Sequence, residues 1–595
     1  MPEESNTHSG ITRRDALKLG VAAGAAASVA AIAGTTAAEA AAPTNLNEAT
    51  IAQLQAAMHS GGLTSARLVD FYLSRIRALD RGATGVNSVL ELNPEAREIA
   101  EALDAERRRK GPRGPLHGIP MLLKDNVDTG DRMQTGAGSL ALVGRPALHD
   151  STLVKNLRAA GAVILGKTNL SEWANFRSTT PSSGWSGRGG QCNNPYIIDF
   201  NPCGSSSGSA ASVSSNFTAA GIGTETDGSI VCPANHSGVV GLKPTVGLVS
   251  RAGVVPISHT QDSPGPHGRT VADVAAVLGA IQSRTFDGRD PATGDVPLGW
   301  SGTGRTRPTN IPTDYTQFVN PDGLRGARLG VWAAGSAAGT AREIAAFNAA
   351  TAAMAAAGAT LVTFDFAHTS DILAGTAEFL ILLYDFKNDL KAYLANRTGV
   401  PIHNLADAIA FNSAHAATEM PFFGQELFEQ AQAMNTDDPN APQPAFGGMT
   451  YNEALAQDRK IGGTEGIDKA LKDNNLDAIV AATANISWAT DLINGDRPGG
   501  FGASTPPAIV GYPIISVPSA LIKGLPLGVS FFGTAFSEAT LIKLASGFEH
   551  VFHARRVPTF IKEIGLNPNL DPGDQGDQGG NHQDSPDLTK RPAMI

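Results

Sequence analysis

The chain has 595 residues, 42% apolar and 17% charged, enough for a large folded core and unlike the composition of a disordered chain. Its 46 basic and 56 acidic residues leave a net charge of −10 with no basic stripe, which argues against nucleic acid as a partner. Three cysteines, Cys192, Cys203 and Cys232, exclude a disulfide-built scaffold and a CxxC zinc ribbon.

At the N-terminus, Thr12-Arg13-Arg14-Asp15-Ala16-Leu17-Lys18 precedes an uncharged Ala/Gly-rich stretch, Leu19 to Ala38. Small residues then offer cleavage points after Ala40 or Ala42. A paired arginine before a weakly apolar segment is the twin-arginine export pattern, with Ala16 standing where a phenylalanine is usual. A membrane anchor is the rival reading, since about 20 uncharged residues span a bilayer. The stretch is dominated by Ala and Gly, and its strongly apolar residues are Leu19, Val21, Val29 and Ile32. The expectation is a removed signal over 1–42 and a chain exported through the twin-arginine machinery to the periplasm or the medium. No stable membrane association is expected after cleavage. Such substrates cross already folded, so no disulfide is required for export, and a Cys192–Cys203 pair is left open.

The body of the chain, 43–566, opens with two helices between Asn47 and Asp80. The second starts at Thr64-Ser65 and repeats apolar residues at Leu68, Tyr72, Ile76 and Leu79. A further helix is predicted over Pro94–Arg108, then a short apolar strand within Gly118–Val127 that runs into polar residues. Residues 151–160 read as a helix and Ala162–Gly166 as a buried strand. This alternation predicts an α/β fold: one large domain with a mixed, largely parallel central sheet covered by helices on both faces. A Pro/Gly/Thr-rich stretch, 285–326, reads as a surface excursion. Strands follow at Ala327–Val331 and Thr360–Phe364 around a helix, Ala341–Ala357. Residues of about 370–460 read as a helical cap near the site, strands return at Ala478–Val480 and Ile514–Val517, and the last helix covers Glu538–Val551. The Asp/Gly/Gln/Pro-rich tail, 567–595, reads as disordered.

Three stretches put polar residues where a core should have none. Lys124 ends the apolar strand Pro120-Met121-Leu122-Leu123; it either snorkels from the strand end or is a desolvated lysine, whose lowered pKa makes it a base. Cys203-Gly204-Ser205-Ser206-Ser207-Gly208-Ser209-Ala210 reads as a flexible linker by composition, yet it continues into a small-residue helix pattern without proline or charge. It contains a G-x-S-x-G centred on Ser206, the nucleophile pattern of an α/β-hydrolase-type esterase, although Asn201-Pro202-Cys203 is a poor strand end for that motif. Gly221 to Ala234 reads as a glycine turn presenting Ser229 beside several backbone N–H groups, the arrangement an oxyanion hole requires.

Together these stretches resemble the amidase signature family. The resemblance runs through Leu63-Thr64-Ser65-Ala66, Leu116 to Asn126, Gly166 to Ala174, the Gly204–Ala210 block and Thr226-Asp227-Gly228-Ser229-Ile230. It continues through Gly238 to Thr245, Asp262 to Pro266, Gly511-Tyr512-Pro513 and Leu525 to Gly533. It implies that 43–566 is one amidase domain with a Ser–cis-Ser–Lys triad: Ser229 as the acyl-enzyme nucleophile, Ser205 as the bridging serine on a cis peptide bond, and Lys124 as the base. The backbone amides of Thr226, Asp227 and Gly228 would line the oxyanion hole, and neither a metal nor a cofactor is implied. Glu225 and Asp227 stand where the family often has Asp and Gly; with Tyr384-Asp385-Phe386-Lys387 they are similar to the peptide-amidase branch. The Asp227 side chain is open to two orientations, toward the acyl site or away. His236, His259 and His267 lack metal-ligand spacing and are expected to be structural. The expected activity is hydrolysis of linear amides, with C-terminal peptide carboxamides as the favoured class. The rivals are the Ser206 esterase and a silent binding protein that keeps the fold; a tRNA-dependent amidotransferase component is disfavoured for an exported chain.

Overall fold

The structure, a computed structural model, describes residues 45–81, 85–500 and 502–562. The expected signal segment, 1–42, and the 567–595 tail lie outside these residues. Eleven strands form one sheet: β1 (Val89–Leu92), β2 (Pro120–Lys124), β3 (Val163–Thr168), β4 (Ala220–Glu225), β5 (Val240–Lys243), β6 (Ser263–Gly268), β7 (Arg328–Trp332), β8 (Thr360–Phe364), β9 (Ala478–Ala482), β10 (Ile514–Ile522) and β11 (Leu525–Phe532). Their order across the sheet is β1-β3-β2-β4-β6-β5-β10-β11-β9-β7-β8.

The sheet is mixed, in a single large α/β domain. Parallel pairings sit in its two flanks, β3–β2–β4 and β9–β7–β8, where helices supply the crossovers, as the β–α–β alternation in the sequence predicts. The middle, β4–β6–β5–β10–β11–β9, pairs antiparallel. Local propensity says least about this middle. Strand β6, Ser263-Pro264-Gly265-Pro266-His267-Gly268, carries two prolines and two glycines, which argue against a central strand by propensity. Packing decides instead: a Cβ on Gly265 would lie 2.1 Å from the Leu242 carbonyl oxygen, so this position admits only glycine. Strand β4 likewise occupies Ala220–Glu225, part of the stretch expected to be a glycine turn; the turn itself is shorter and follows it.

Local signals elsewhere match the elements they predict. Thr64 caps the helix Ser65–Leu79 by accepting from Arg67 N–H, and Leu68, Val69, Tyr72 and Ile76 form its buried face. The last helix, Glu538–Phe552, buries Leu541, Leu544 and Phe548 against the sheet. Between residues 369 and 458 the chain is mostly helical, and its longest helix there, Thr376–Leu394, joins Trp173, Phe176 and Phe428 in a second apolar cluster. This places Leu382 of that helix at the mouth of the site described next. No described helix is long and apolar enough to cross a membrane.

Candidate active site

Lys124 is the last residue of β2, paired in register with Thr168 of β3, and its side chain is fully buried. A strand whose other residues are all apolar and buried carries it inward rather than letting it snorkel out. Its Nζ lies 2.6 Å from Ser205 Oγ, 2.8 Å from Thr224 Oγ1, 3.1 Å from Ser206 Oγ and 3.2 Å from the Thr224 carbonyl oxygen. Burial pushes its pKa down to about 7, against the opposing pull of Asp262 and Glu225. In the neutral form the amine has two N–H groups and one lone pair. The N–H groups have acceptors at Thr224 and Ser206, which leaves the lone pair to the Ser205 hydroxyl, the shortest contact.

The Gly/Ser stretch is a helix, not a linker. Ser207–Ser214 is buried at every residue, and its small side chains let the backbone lie against the sheet. A Cβ at Gly208 would come within 2.4 Å of the Ser88 carbonyl oxygen. Ser209 Oγ donates to the Ile222 carbonyl of β4 at 2.9 Å and lies 2.8 Å from Thr168 Oγ1. Ser205 thus sits at the start of a helix welded to the strands that carry Lys124 and the turn of Ser229.

Ser206 is tied up. Its hydroxyl donates to the Thr224 carbonyl at 3.0 Å and accepts from Thr224 N–H at 3.1 Å. It is fully buried and does not border the cavity, which the Ser206 esterase reading requires. Ser229 does border it, in a cavity of about 350 Å³ together with Thr226, Asp227 and Gly228. The two segments meet where Ser205 N–H donates to Ser229 Oγ at 3.4 Å and Ser206 N–H to the Ser229 carbonyl at 3.1 Å. No hydrogen bond joins Ser205 Oγ to Ser229 Oγ. The cis bond expected before Ser205 is also not found: among the described residues every peptide bond is trans. The chain is turned there by positive φ at Cys203 and Gly204, 57° each, and this presents the Ser205 amide rather than its hydroxyl to Ser229.

The Ser229 turn is held from three sides. Glu225 Oε2 accepts from Ile230 N–H at 2.6 Å and Val231 N–H at 2.9 Å, pinning the turn's exit. Asp262 Oδ1 accepts from the Thr226 hydroxyl at 2.6 Å, while its Oδ2 accepts from Ile257 and Ser258 N–H. Asp227 borders the cavity, and its carboxylate accepts from Thr505 Oγ1 at 2.7 Å. Burial raises the carboxyl pKa of all three acids. Gly228 takes φ 77°, a left-handed conformation that favours glycine. The N–H groups of Asp227 and Gly228 find no acceptor among the described residues, so they remain available to a ligand.

Several contributors carry no signal in the sequence. The far wall of the cavity comes from Thr483, Asn485, Trp488, Asp496 and Ser504, in a stretch without motif or periodicity. The near wall comes from Asn175 and Phe176, after three successive residues with positive φ: Trp173 at 52°, Ala174 at 55° and Asn175 at 70°. Arg177 Nε lies 2.7 Å from Glu172 Oε1 across this left-handed turn, both side chains buried, and burial raises the Glu172 pKa to about 8. Asn175 Oδ1, without a hydrogen-bond partner among the described residues, sits on that wall. Lys243 is a second buried lysine: it donates to the Tyr512 carbonyl at 2.6 Å, and the Glu225 charge partly offsets the burial that lowers its pKa to about 8.

The three histidines lie off the cavity. Burial lowers His236 and His267 to about 4, so both are neutral, each within hydrogen-bond distance of backbone carbonyls. Desolvation pulls His259 down, but Asp389 and Asp385 outweigh it and hold the imidazole up at about 9. The cysteine pairing is also resolved: Cys203 is bonded to Cys232, Cα atoms 5.7 Å apart, and Cys192 is a buried free thiol.

The family model named Amidase matches residues 67–542. A probable amidase of Arabidopsis thaliana is 40% identical over 526 residues, covering 87% of this chain and 92% of that protein. A putative amidase of Schizosaccharomyces pombe is 38% identical over 549 residues, 88% of each chain. The crystal structure of native peptide amidase from Stenotrophomonas maltophilia superposes with a TM-score of 0.78 at 46% identity, covering 87% of this chain and 100% of that one. The chain therefore belongs to the amidase family, the amidase signature enzymes, and is an enzyme that hydrolyses amides.

Proposed function

We propose that Ser229 is the acyl-enzyme nucleophile, Ser205 the bridging hydroxyl and Lys124 the general base, acting on C-terminal carboxamides of peptides. The observation that carries this reading is the stacking of one polar path behind the cavity: Ser229 at its surface, Ser205 against it, and a desolvated lysine 2.6 Å beyond Ser205. As substrate enters, a small rotation of the Ser205 hydroxyl connects Ser229 to Lys124; such contacts commonly tighten on binding. Ser229 Oγ attacks the amide carbonyl, its proton passing through Ser205 to Lys124 Nζ. The amides of Asp227 and Gly228, with Thr226 beside them, receive the oxyanion. The proton then returns through the relay to the departing ammonia. Water repeats the sequence on the Ser229 ester and releases the acid.

The carboxamide preference rests on what lines the cavity. Phe176, Ile257, Leu382 and Trp488 offer apolar surface, while Asp227 and Asp496 supply carboxyl groups, and no lysine, arginine or histidine among the described residues lines it. Nothing there pairs with a free α-carboxylate, so a neutral carboxamide enters and the acid product is poorly retained. The likeness to a named peptide amidase supports the same class. The test is a panel of blocked dipeptide amides, fatty amides and aryl amides. The peptide amides are expected to give the highest kcat/KM, by tenfold or more on the scale of about 1.4 kcal/mol of differential binding; fatty amides at the top would redirect the substrate assignment.

We also propose that the precursor is exported through the twin-arginine route, on the evidence of Arg13-Arg14 and the weakly apolar stretch behind them. Changing both arginines to lysine is expected to leave the precursor in the cytoplasm, read by fractionation and N-terminal sequencing. Unaltered export of that variant, or a mature chain that still begins before residue 38, contradicts the assignment.

A further inference from the structure

We infer that the Cys203–Cys232 disulfide is a positioning cross-link for the catalytic serines, and that amide turnover depends on its being oxidised. The inference rests on the assignment of Ser205 and Ser229 above. The bond joins the two serine-bearing segments at their closest flanks, two residues before Ser205 and three after Ser229, closing a sequence separation of 29. Away from the bond, Ser206 and Ser209 tie the helix to Thr224 and Ile222 of β4, but the two serine-bearing turns themselves share fewer ties. One contact between them is a long hydrogen bond of 3.4 Å to the nucleophile itself, and the other is the 3.1 Å bond from Ser206 N–H. The approach is also tight: a Cβ at Gly204 would lie 2.6 Å from Pro233 Cδ and 3.4 Å from Ser229 Cα.

Cys203 is held at φ 57°, a left-handed conformation that disfavours a non-glycine L-residue. Once the tie to Cys232 is cut, nothing covalent opposes its return to an ordinary φ. That rotation moves the peptide leading into Ser205, while Lys124 stays fixed on β2. The short Lys124–Ser205 contact and the Ser205–Ser229 alignment are then lost together. A displacement of about 1 Å in a catalytic array costs on the order of 10²-fold in rate.

Both cysteines border the cavity, and Cys232 is partly exposed, so a small dithiol reaches the bond through the substrate entrance. The step is ordinary exchange. A thiolate of the dithiol attacks one sulfur, the Cys203–Cys232 bond breaks, and the second thiol closes the reagent's own disulfide. Two electrons and two protons pass from the dithiol to the protein, leaving two thiols. The consequence is an amidase that works in oxidising compartments and is slow where dithiols keep cysteines reduced.

The experiment treats the full-length enzyme with dithiothreitol, counts free thiols, and measures kcat and KM below the melting transition of the reduced form. EDTA is present because the ligand atoms of Cys203, Cys232 and His236 lie within 4.8 Å of one another and would otherwise collect stray metal. The expected result is a kcat lower by about 10²-fold with KM within about threefold, restored on reoxidation. The double variant C203S/C232S should share the low kcat and ignore dithiothreitol, whereas C192A should respond as the wild type does. A reduced enzyme with three counted thiols and kcat within twofold of the oxidised form overturns the inference. So does a loss that appears only together with global unfolding in the melting curve, because the bond then serves stability alone. Ser229→Ala in the oxidised state separates the two layers: if that variant still turns over amide, the assignment of the serines fails first.

Discussion

Ser229→Ala is expected to abolish amide turnover, with kcat down by on the order of 10⁶-fold, the scale of removing the nucleophile from a serine hydrolase. The fold should survive, because Ser229 Oγ accepts a single long hydrogen bond and the turn is held by Glu225 and Asp262 rather than by this hydroxyl. Ser206→Ala is the informative contrast. It removes the acceptor of the buried Thr224 N–H and one contact of Lys124, so it should cost about 1–3 kcal/mol of stability. Its kcat should fall by no more than about tenfold, less than a single general-base contribution of about 10²–10⁴. Steady-state kinetics beside a denaturant melt of each variant separates the two effects. A Ser206 variant as dead as the Ser229 variant, yet normally folded, would revive the esterase reading.

The second large effect is at Lys124. A general base works only when unprotonated, and burial brings this lysine down to about 7. The sign follows directly. Below about pH 7 the amine is charged and cannot take the proton of Ser205; above it the amine is neutral and competent. kcat/KM should therefore rise with pH through about 7 and level off, with a single limiting ionisation on the acid side. An exposed lysine, titrating near ~10.4, would put the rise some three units higher. Lys124→Ala is expected to lose about 10²–10⁴-fold in kcat. Lys124→Arg should be nearly as damaging, because a guanidinium keeps its proton at every working pH. The loss in a Lys124→Ala, Ser205→Ala double variant should be close to that of either single one, since members of one relay fail together. An arginine variant with near-normal kcat would reduce Lys124 to charge and packing.

How much of this is legible in the sequence follows from what each signal depends on. Lys124 is readable because a cation closing an apolar strand contradicts the pattern around it, and the structure buries it completely. The flank strands and their helices are readable from periodicity, and Thr360–Phe364 falls where it is expected. Strands β4 and β6 are not, because glycine and proline there answer to interstrand contact, as at Gly265, rather than to local propensity. The small-residue helix Ser207–Ser214 has the composition of a linker, and only close packing on β2 and β4 gives its serines and glycines a purpose. The far cavity wall around Trp488 and Asp496 is built by a segment remote from Ser229 in sequence, so no local spacing announces it. The Cys203–Cys232 pair illustrates the same limit: proximity in the chain favours Cys192 as the partner of Cys203, whereas the fold brings Cys232 beside it.

Ser205 marks where the family resemblance and the structure part. The resemblance implies a cis bond there, and the described chain has a trans bond with positive φ at Cys203 and Gly204 instead. The Lys124–Ser205 contact survives this difference; the Ser205–Ser229 hydroxyl link does not, and under the proposed mechanism it forms when substrate binds.

The central claim, that a serine on the cavity surface is acylated while its buried neighbours are not, is tested most directly by covalent labelling. The oxidised enzyme is treated with a fluorophosphonate, digested and mapped by mass spectrometry. The expected result is one equivalent of adduct on Ser229, with Ser205 and Ser206 unmodified, and no adduct in the Lys124→Ala variant over the same time. An adduct on Ser206, or stoichiometric labelling that leaves Ser229 free, would contradict it.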